Sequence, residues 1–151
     1  LDVNVGVTGS GRSRRRKADV EREQALTREG EAREREFMNL EKNLEKWVAE
    51  KKYREFDKSR EEIAAELKTT KELLQLYFTL RKGVDFRTWR TELRVADAKV
   101  MLLDDKSTSI QIISELSGFS DRSNFHRQFT KIVGVSPKEW RETDGYPQKH
   151  S

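Results

Sequence analysis

The sequence predicts an all-α fold. Three observations carry that prediction. From Phe37 to Trp140 the apolar residues recur at three- and four-residue spacing, the period of one helix face. A Ser, Thr or Asp stands just before most of these runs and a Gly closes several, the punctuation that starts and stops helices. Between residues 37 and 142 no stretch alternates as a half-buried strand would.

Composition narrows the class. Apolar residues make up 34% of the 151 and charged residues 38%, so a core is adequate only if concentrated in part of the chain. The length suits one domain plus an appendage. There is no Cys, which excludes disulfides and thiolate metal sites, and His126 and His150 are too few for a multi-His centre. No cofactor or metal is expected. No apolar run approaches the ~18 residues of a membrane helix. The chain starts at Leu1 with nothing like a signal peptide, and reads as a fragment of a longer protein. Its net charge of +4 is compatible with a polyanionic partner.

The elements follow in order. LDVNVGVTGSG (1–11) is small and Gly-rich; its alternating Val3, Val5 and Val7 read either as the tail of a strand from an upstream region or as floppy chain. RSRRRK (12–17) is either a solvated charge run or a basic patch for a membrane exit or DNA. Residues 18–36 interleave Arg and Glu, with pairs such as Glu31 and Arg35, and read as a solvated helix or disordered linker. Residues 1–36 are therefore a linker or the remnant of an upstream region. At Phe37 a packed amphipathic helix begins, with Leu40, Leu44, Trp47 and Val48 on its stripe.

Beyond it, Ser59 and Glu62 form a capping box before Ile63, Ala64 and Leu67. Thr70 caps a helix over Lys71–Leu80, with Leu73, Leu74, Tyr77 and Phe78 inward and Gly83 ending it. Asp85 caps a longer helix whose inward residues are Phe86, Trp89, Leu93, Ala96 or Val100, and Leu103. Ser109 caps Ile110–Leu116, which Gly118 breaks. Ser120 or Asp121 caps a helix anchored by Phe125 and Phe129 and ended by Gly134. Ser136 and Pro137 open a last helix carrying Trp140, and residues 143–151 form a tail.

One unit occurs twice. Ile63 and its small neighbour Ala64, then Leu74, Phe78 and Gly83, are repeated as Ile113 and Ser114, then Phe125, Phe129 and Gly134. A short helix, a tight turn and a second helix make a helix-turn-helix unit. The predicted architecture is thus two such subdomains, about 59–83 and 109–134, within a domain over 37–142. A linker helix joins them, and a charged helical or disordered segment precedes them.

The run ISELSGFSDRSNFHRQFTKIVGVSPKEWR (113–141) resembles the second helix-turn-helix of the AraC/XylS family of transcription regulators. Ile113, Gly118, Phe119, Ser123, Phe125, Arg127, Phe129, Gly134, Ser136, Pro137, Trp140 and Arg141 match the family pattern; Ser114 stands where an Ala is usual. FRTWRTELRVADAKVMLL resembles the family's linker helix, with Arg94 and Ala98 at typical positions. The resemblance covers about Lys52–Glu142 and leaves residues 1–50 outside it.

The resemblance implies a bacterial, cytoplasmic, sequence-specific DNA-binding domain with two recognition helices. Its partner is double-stranded DNA. A homodimer and an upstream sensor domain or transmembrane segment, absent from this fragment, are the further partners implied; the last would tether the full-length protein to a membrane. Arg suits guanine edges and Asn adenine. In the second unit the base-reading candidates are Arg122 and Arg127, then Asn124 and His126, with Ser123 and Lys131 for the DNA backbone. In the first they are Lys71 and Gln75, with Thr70, Arg81 and Lys82 for the backbone. Leu76 stands where the family often has Arg, and Glu72 would repel phosphate, so the first unit is expected to read sequence weakly or to read different bases. Residues 52–142 hold eighteen Lys or Arg and fifteen Asp or Glu, a weak net field of +3.

Two rival classes fit the sequence less well. An enzyme lacks support: there is no Gly-x-Ser-x-Gly, phosphate-cradling loop or metal cluster, and no catalytic residue is expected. Asp104-Asp105 and Glu61-Glu62 sit at helix ends, where capping and solvation account for them. The alternative is a protein-interaction or dimerisation module built on the charged N-terminal helix, with DNA binding secondary; its apolar heptad spans only Phe37 to Trp47.

Overall fold

The computed structural model describes residues 2–147, with side chains described from Arg16 onward. His150 lies outside them. The described residues are helical without a strand: α1 Asp2–Ala49, α2 Arg60–Glu66, α3 Lys71–Tyr77, α4 Phe86–Asp104, α5 Ile110–Leu116, α6 Arg122–Val133 and α7 Pro137–Glu142. The chain divides into two compact units, 1–41 and 42–151.

In the first unit the interleaved Arg and Glu form helix rather than disordered linker. Val3, Val5 and Val7 also fall in α1 and not in a strand; no other strand exists among the described residues to pair with them. From Arg16 to Glu36 the side chains are exposed except half-buried Ala25 and Ala32. Phe37 and Leu40 are buried, as their stripe predicts.

The second unit holds two cores. Around the first, Leu44, Trp47, Ile63, Leu67, Leu74, Tyr77, Phe78 and Phe86 are buried. Its centre is aromatic: Trp47 stacks on Trp89 at 6.1 Å, and Phe78 lies 5.0 Å from Trp89 and 5.4 Å from Phe86. The predicted capping box closes α2: Ser59 Oγ accepts from the Glu62 N–H at 3.1 Å, and the Glu62 carboxylate accepts from the Ser59 N–H at 3.4 Å. Thr70 caps α3 by accepting from the Leu73 N–H. The helix expected over Lys71–Leu80 proves longer and two-part: α3 passes at Phe78 into a π-helical turn to Lys82, after two consecutive buried aromatics. Gly83 (φ 71°) ends it, its N–H donating to the Phe78 carbonyl.

The second core joins Val95, Ala98 and Leu102 of α4 to Ile113, Phe119, Phe125 and Phe129, with Met101, Ile110, Val133 and Trp140 at its edge. Asp121, rather than Ser120, caps α6 through the Ser123 N–H. α7 docks on the end of α4: Trp140 Nε1 donates to the Lys99 carbonyl at 3.0 Å and Arg141 Nε to the Leu102 carbonyl at 3.0 Å.

On α4 the expected inward face needs correction. Phe86 is buried, but Ala96 and Val100 are exposed, Leu93 and Leu103 are half-buried, and the buried positions are Arg94, Val95, Ala98 and Leu102. One helix serves two cores and a strap, so no single stripe describes it. The strap is the connector after α1, with a 3-10 turn over Lys52–Arg54. Arg94 Nε donates to the Tyr53 carbonyl at 2.6 Å and its Nη2 to the Glu55 carbonyl at 2.9 Å. Asp97 accepts from the Tyr53 hydroxyl at 2.5 Å and from Arg54 Nε at 2.7 Å. Burial and the neighbouring Arg90 push Arg94 down to about 10, still charged at neutral pH.

Candidate nucleic-acid interface

The two helix-turn-helix units, both within residues 42–151, share one frame. In each, a Ser-capped short helix ends in a turn whose second residue is left-handed: Lys68 (φ 58°) in the first, Gly118 (φ 110°) in the second. The next amide bonds back alike, Thr69 N–H to the Ala64 carbonyl and Phe119 N–H to the Ser114 carbonyl, both at 2.9 Å. Ala64 and Ser114, the small residues of the repeated unit, are buried.

α6 turns Phe125 and Phe129 inward, their rings 5.7 Å apart, with Phe119 5.2 Å from Phe125. Anchors spaced four residues apart share one face and leave the opposite face outward. Arg122, Ser123, His126, Arg127 and Lys131 are exposed, while Asn124 and Gln128 are half-buried. The structure brings Asn124 and Arg127 together: Arg127 Nη2 donates to Asn124 Oδ1 at 3.0 Å, and Gln128 Nε2 reaches the same oxygen at 3.5 Å. Asn124 thus orients a guanidinium one turn away.

The first unit presents a different face. Lys71, Glu72 and Gln75 are exposed and Leu76 is half-buried. Lys71 Nζ is held 2.9 Å from Glu61 Oε1, which raises the lysine above its usual range and lowers the carboxyl below its own. Thr70 spends its hydroxyl on the cap. Arg81 and Lys82 are exposed on the π-helical turn.

Sequence reasoning missed two arginine groups. Arg94, Arg54 and Asp97 build the strap described above; the one signal was that Arg94 stands between Leu93 and Val95, on a helix whose other charges hide it. Arg60 and Arg90 lie over the Phe86 ring, their Cζ atoms 4.8 and 5.5 Å from its centroid. No pattern in the sequence joins residues 60 and 90.

Two Gly-terminated helices with aromatic inner faces and polar outer faces, each set on a short partner helix, define a helix-turn-helix DNA-binding protein. The helix-turn-helix domain family, of the AraC type, matches residues 63–143, more than half of the chain. The chain belongs to the AraC/XylS family of transcription regulators. An uncharacterized HTH-type transcriptional regulator of Bacillus subtilis is 34% identical over 67 residues, 44% of this chain and 27% of that protein. The arabinose operon regulatory protein of Salmonella typhimurium is 34% identical over 64 residues, 42% of this chain and 22% of that one. The chain spans about a quarter of the length of these curated relatives. The C-terminal domain of the two-component response regulator yesN from Fusobacterium nucleatum superposes with a TM-score of 0.58 at 25% identity, over 66% of this chain and 96% of that one. Fold and family point to a DNA-binding regulator and not to an enzyme.

Proposed function

We propose that this chain binds double-stranded DNA by inserting α3 and α6 into successive major-groove segments on one face of the duplex. With α4 joining the two units, the boxes fall about one helical turn (~34 Å) apart. The observation that carries the reading is the doubled frame: two capped helices ending at Gly83 and Gly134, each with anchors inward and hydrogen-bonding side chains outward. Arg127, oriented by Asn124, and Arg122 read bases; His126 and Asn124 follow. Lys71, tied to Glu61, contributes less than Gln75, and the second unit carries most of the specificity. Ser123, Lys131, Thr70, Arg81 and Lys82 serve the phosphate backbone.

In the full-length protein this module works in the cytoplasm under a sensor encoded outside this sequence, and α1 offers a route to a homodimer. Among the described residues no helix is long and apolar enough to cross a membrane. The test is selection of binding sites from a random DNA pool by the full chain. Two boxes about one helical turn apart support two working recognition helices. One box, lost in Arg127→Ala and indifferent to Gln75→Ala, would reduce the first unit to a grip.

A further inference from the structure

The first unit carries basic residues that the base-reading roles do not use. Arg60 opens α2 and Arg90 lies in the second turn of α4, both over the Phe86 ring. Burial above all, then Arg60 and the exposed Arg87 in the first turn of α4, lower the Arg90 pKa. Three guanidiniums thus gather at the starts of two helices. Among the described residues none of the three forms an ion pair, and Arg90 Nε is buried without a hydrogen-bond partner. The nearby carboxylate, Asp85, is occupied as the cap of α4, accepting from the Thr88 N–H at 2.7 Å. The cap hydrogen bond from Thr88, and after it Arg60 and Arg87, lower the Asp85 pKa, so this one carboxylate faces the guanidiniums without matching their number.

Position says which anion. The Lys71–Glu61 ion pair sets the start of α2 beside the start of α3, so Arg60 lies at the end of the unit that enters the groove. In helix-turn-helix docking the first helix of the pair crosses the DNA backbone. On the other side, Arg87 lines a groove of about 420 Å³ with Thr88, Thr91, Gln128 and Lys131, with Asp85 and Glu92 as its acids. That groove reaches the last turn of α6. The basic residues therefore run from the start of one recognition helix to the end of the other.

We propose that Arg60, Arg87 and Arg90 form a phosphodiester-binding cluster that grips the DNA backbone between the two boxes. The inference rests on the DNA-binding reading above. Guanidinium forks match phosphate oxygens in pairs, and such contacts add affinity without sequence preference. The cluster is a clamp on spacing rather than a reader of bases.

The test uses the full chain and the site it selects. Affinity is titrated across salt concentrations for the wild type, for the triple Arg→Gln variant and for Arg87→Gln alone, which leaves the Phe86 contacts intact. Each lost phosphate contact lowers the slope of log K against log salt by about 0.9, so the triple variant should lose about 2 to 3 and Arg87→Gln about 1, with the selected sequence unchanged. Neutral methylphosphonates between the boxes should weaken the wild type and leave the triple variant indifferent. An unchanged slope for folded Arg87→Gln overturns the cluster while the two-box reading stands. Inorganic phosphate or pyrophosphate that competes at constant ionic strength with the wild type but not with Arg87→Gln would reassign the cluster to a free anion and overturn the backbone contact. A wild type that selects no paired boxes takes down the DNA-binding reading and this inference with it.

Discussion

The two helix-turn-helix units are built on the same frame and held in place differently. The turn of the first unit puts Lys68 at the left-handed position, at the edge of an open hollow it lines with Asn43, Lys46 and Lys52. The same position in the second unit is Gly118, where a Cβ would stand 2.7 Å from Arg94 Nε and 2.8 Å from the Arg54 backbone. One turn is free to carry a side chain at a conformational cost; the other is closed against α4 and the strap. The first helical residues differ in the same sense: Ile110 packs against the second core, whereas Arg60 covers Phe86 with charge. A repeated frame therefore fixes backbone geometry, and the surroundings of each copy decide which positions tolerate change.

The largest effect should come from closing that difference by force. Gly118→Ala adds both left-handed strain and a clash with backbone, and should destabilise the second unit by about 3 kcal/mol or more in a urea melt. Lys68→Gly at the matching position relieves strain and should shift stability by less than about 1 kcal/mol in either direction. Equal losses at the two positions would break the comparison.

Next is the strap. Arg94→Met keeps the volume but leaves the Tyr53 and Glu55 carbonyls without their charged donor, a loss of about 2–3 kcal/mol by equilibrium unfolding. Smaller again is the asymmetry of reading. Arg127→Ala should weaken binding to the selected site by about 1–3 kcal/mol and relax one base position, while Gln75→Ala should cost less than half of that. A larger loss from Gln75→Ala would assign the reading to the first unit.

The last effect is confined to alkaline pH, where it appears as a slope. Burial and the hydrogen bond to Asp97 push Tyr53 up to about 12. Its folded-state pKa lies above the ordinary value, so the protonated form is the one the fold favours. The contribution is complete below about pH 10 and is lost as the pH climbs toward 12. Tyr53→Phe should flatten the alkaline fall of the unfolding midpoint; an identical fall in both proteins would remove Tyr53 from the account.

Much of this frame was legible in the sequence because capping and periodicity are local. Ser59, Thr70, Asp85, Ser109 and Ser136 each accept from an amide two or three residues into the helix they precede, as their positions predict. α4 was misread because a stripe assumes one core, and this helix faces two cores and the strap. The π-helical turn at Phe78–Lys82 was invisible because Gly83 marks in the sequence where the helix stops, not that its amide reaches back to the Phe78 carbonyl. The outward faces of α3 and α6 followed from their anchors, but the Arg127–Asn124 bond and the tie from Lys71 to Glu61 depend on rotamers that spacing does not specify. Arg60 and Arg90 meet only through tertiary structure.

The closed turn at Gly118 also bears on where the chain can be divided. Its wall is made by Arg54 and Arg94, residues synthesised well before it. The local hydrogen bonds of the turn set its bend, and the strap and α4 then leave no room there for any residue but glycine. An excised fragment beginning at Ser109 would carry every residue of its own helices and still lack the surface against which the turn between them packs.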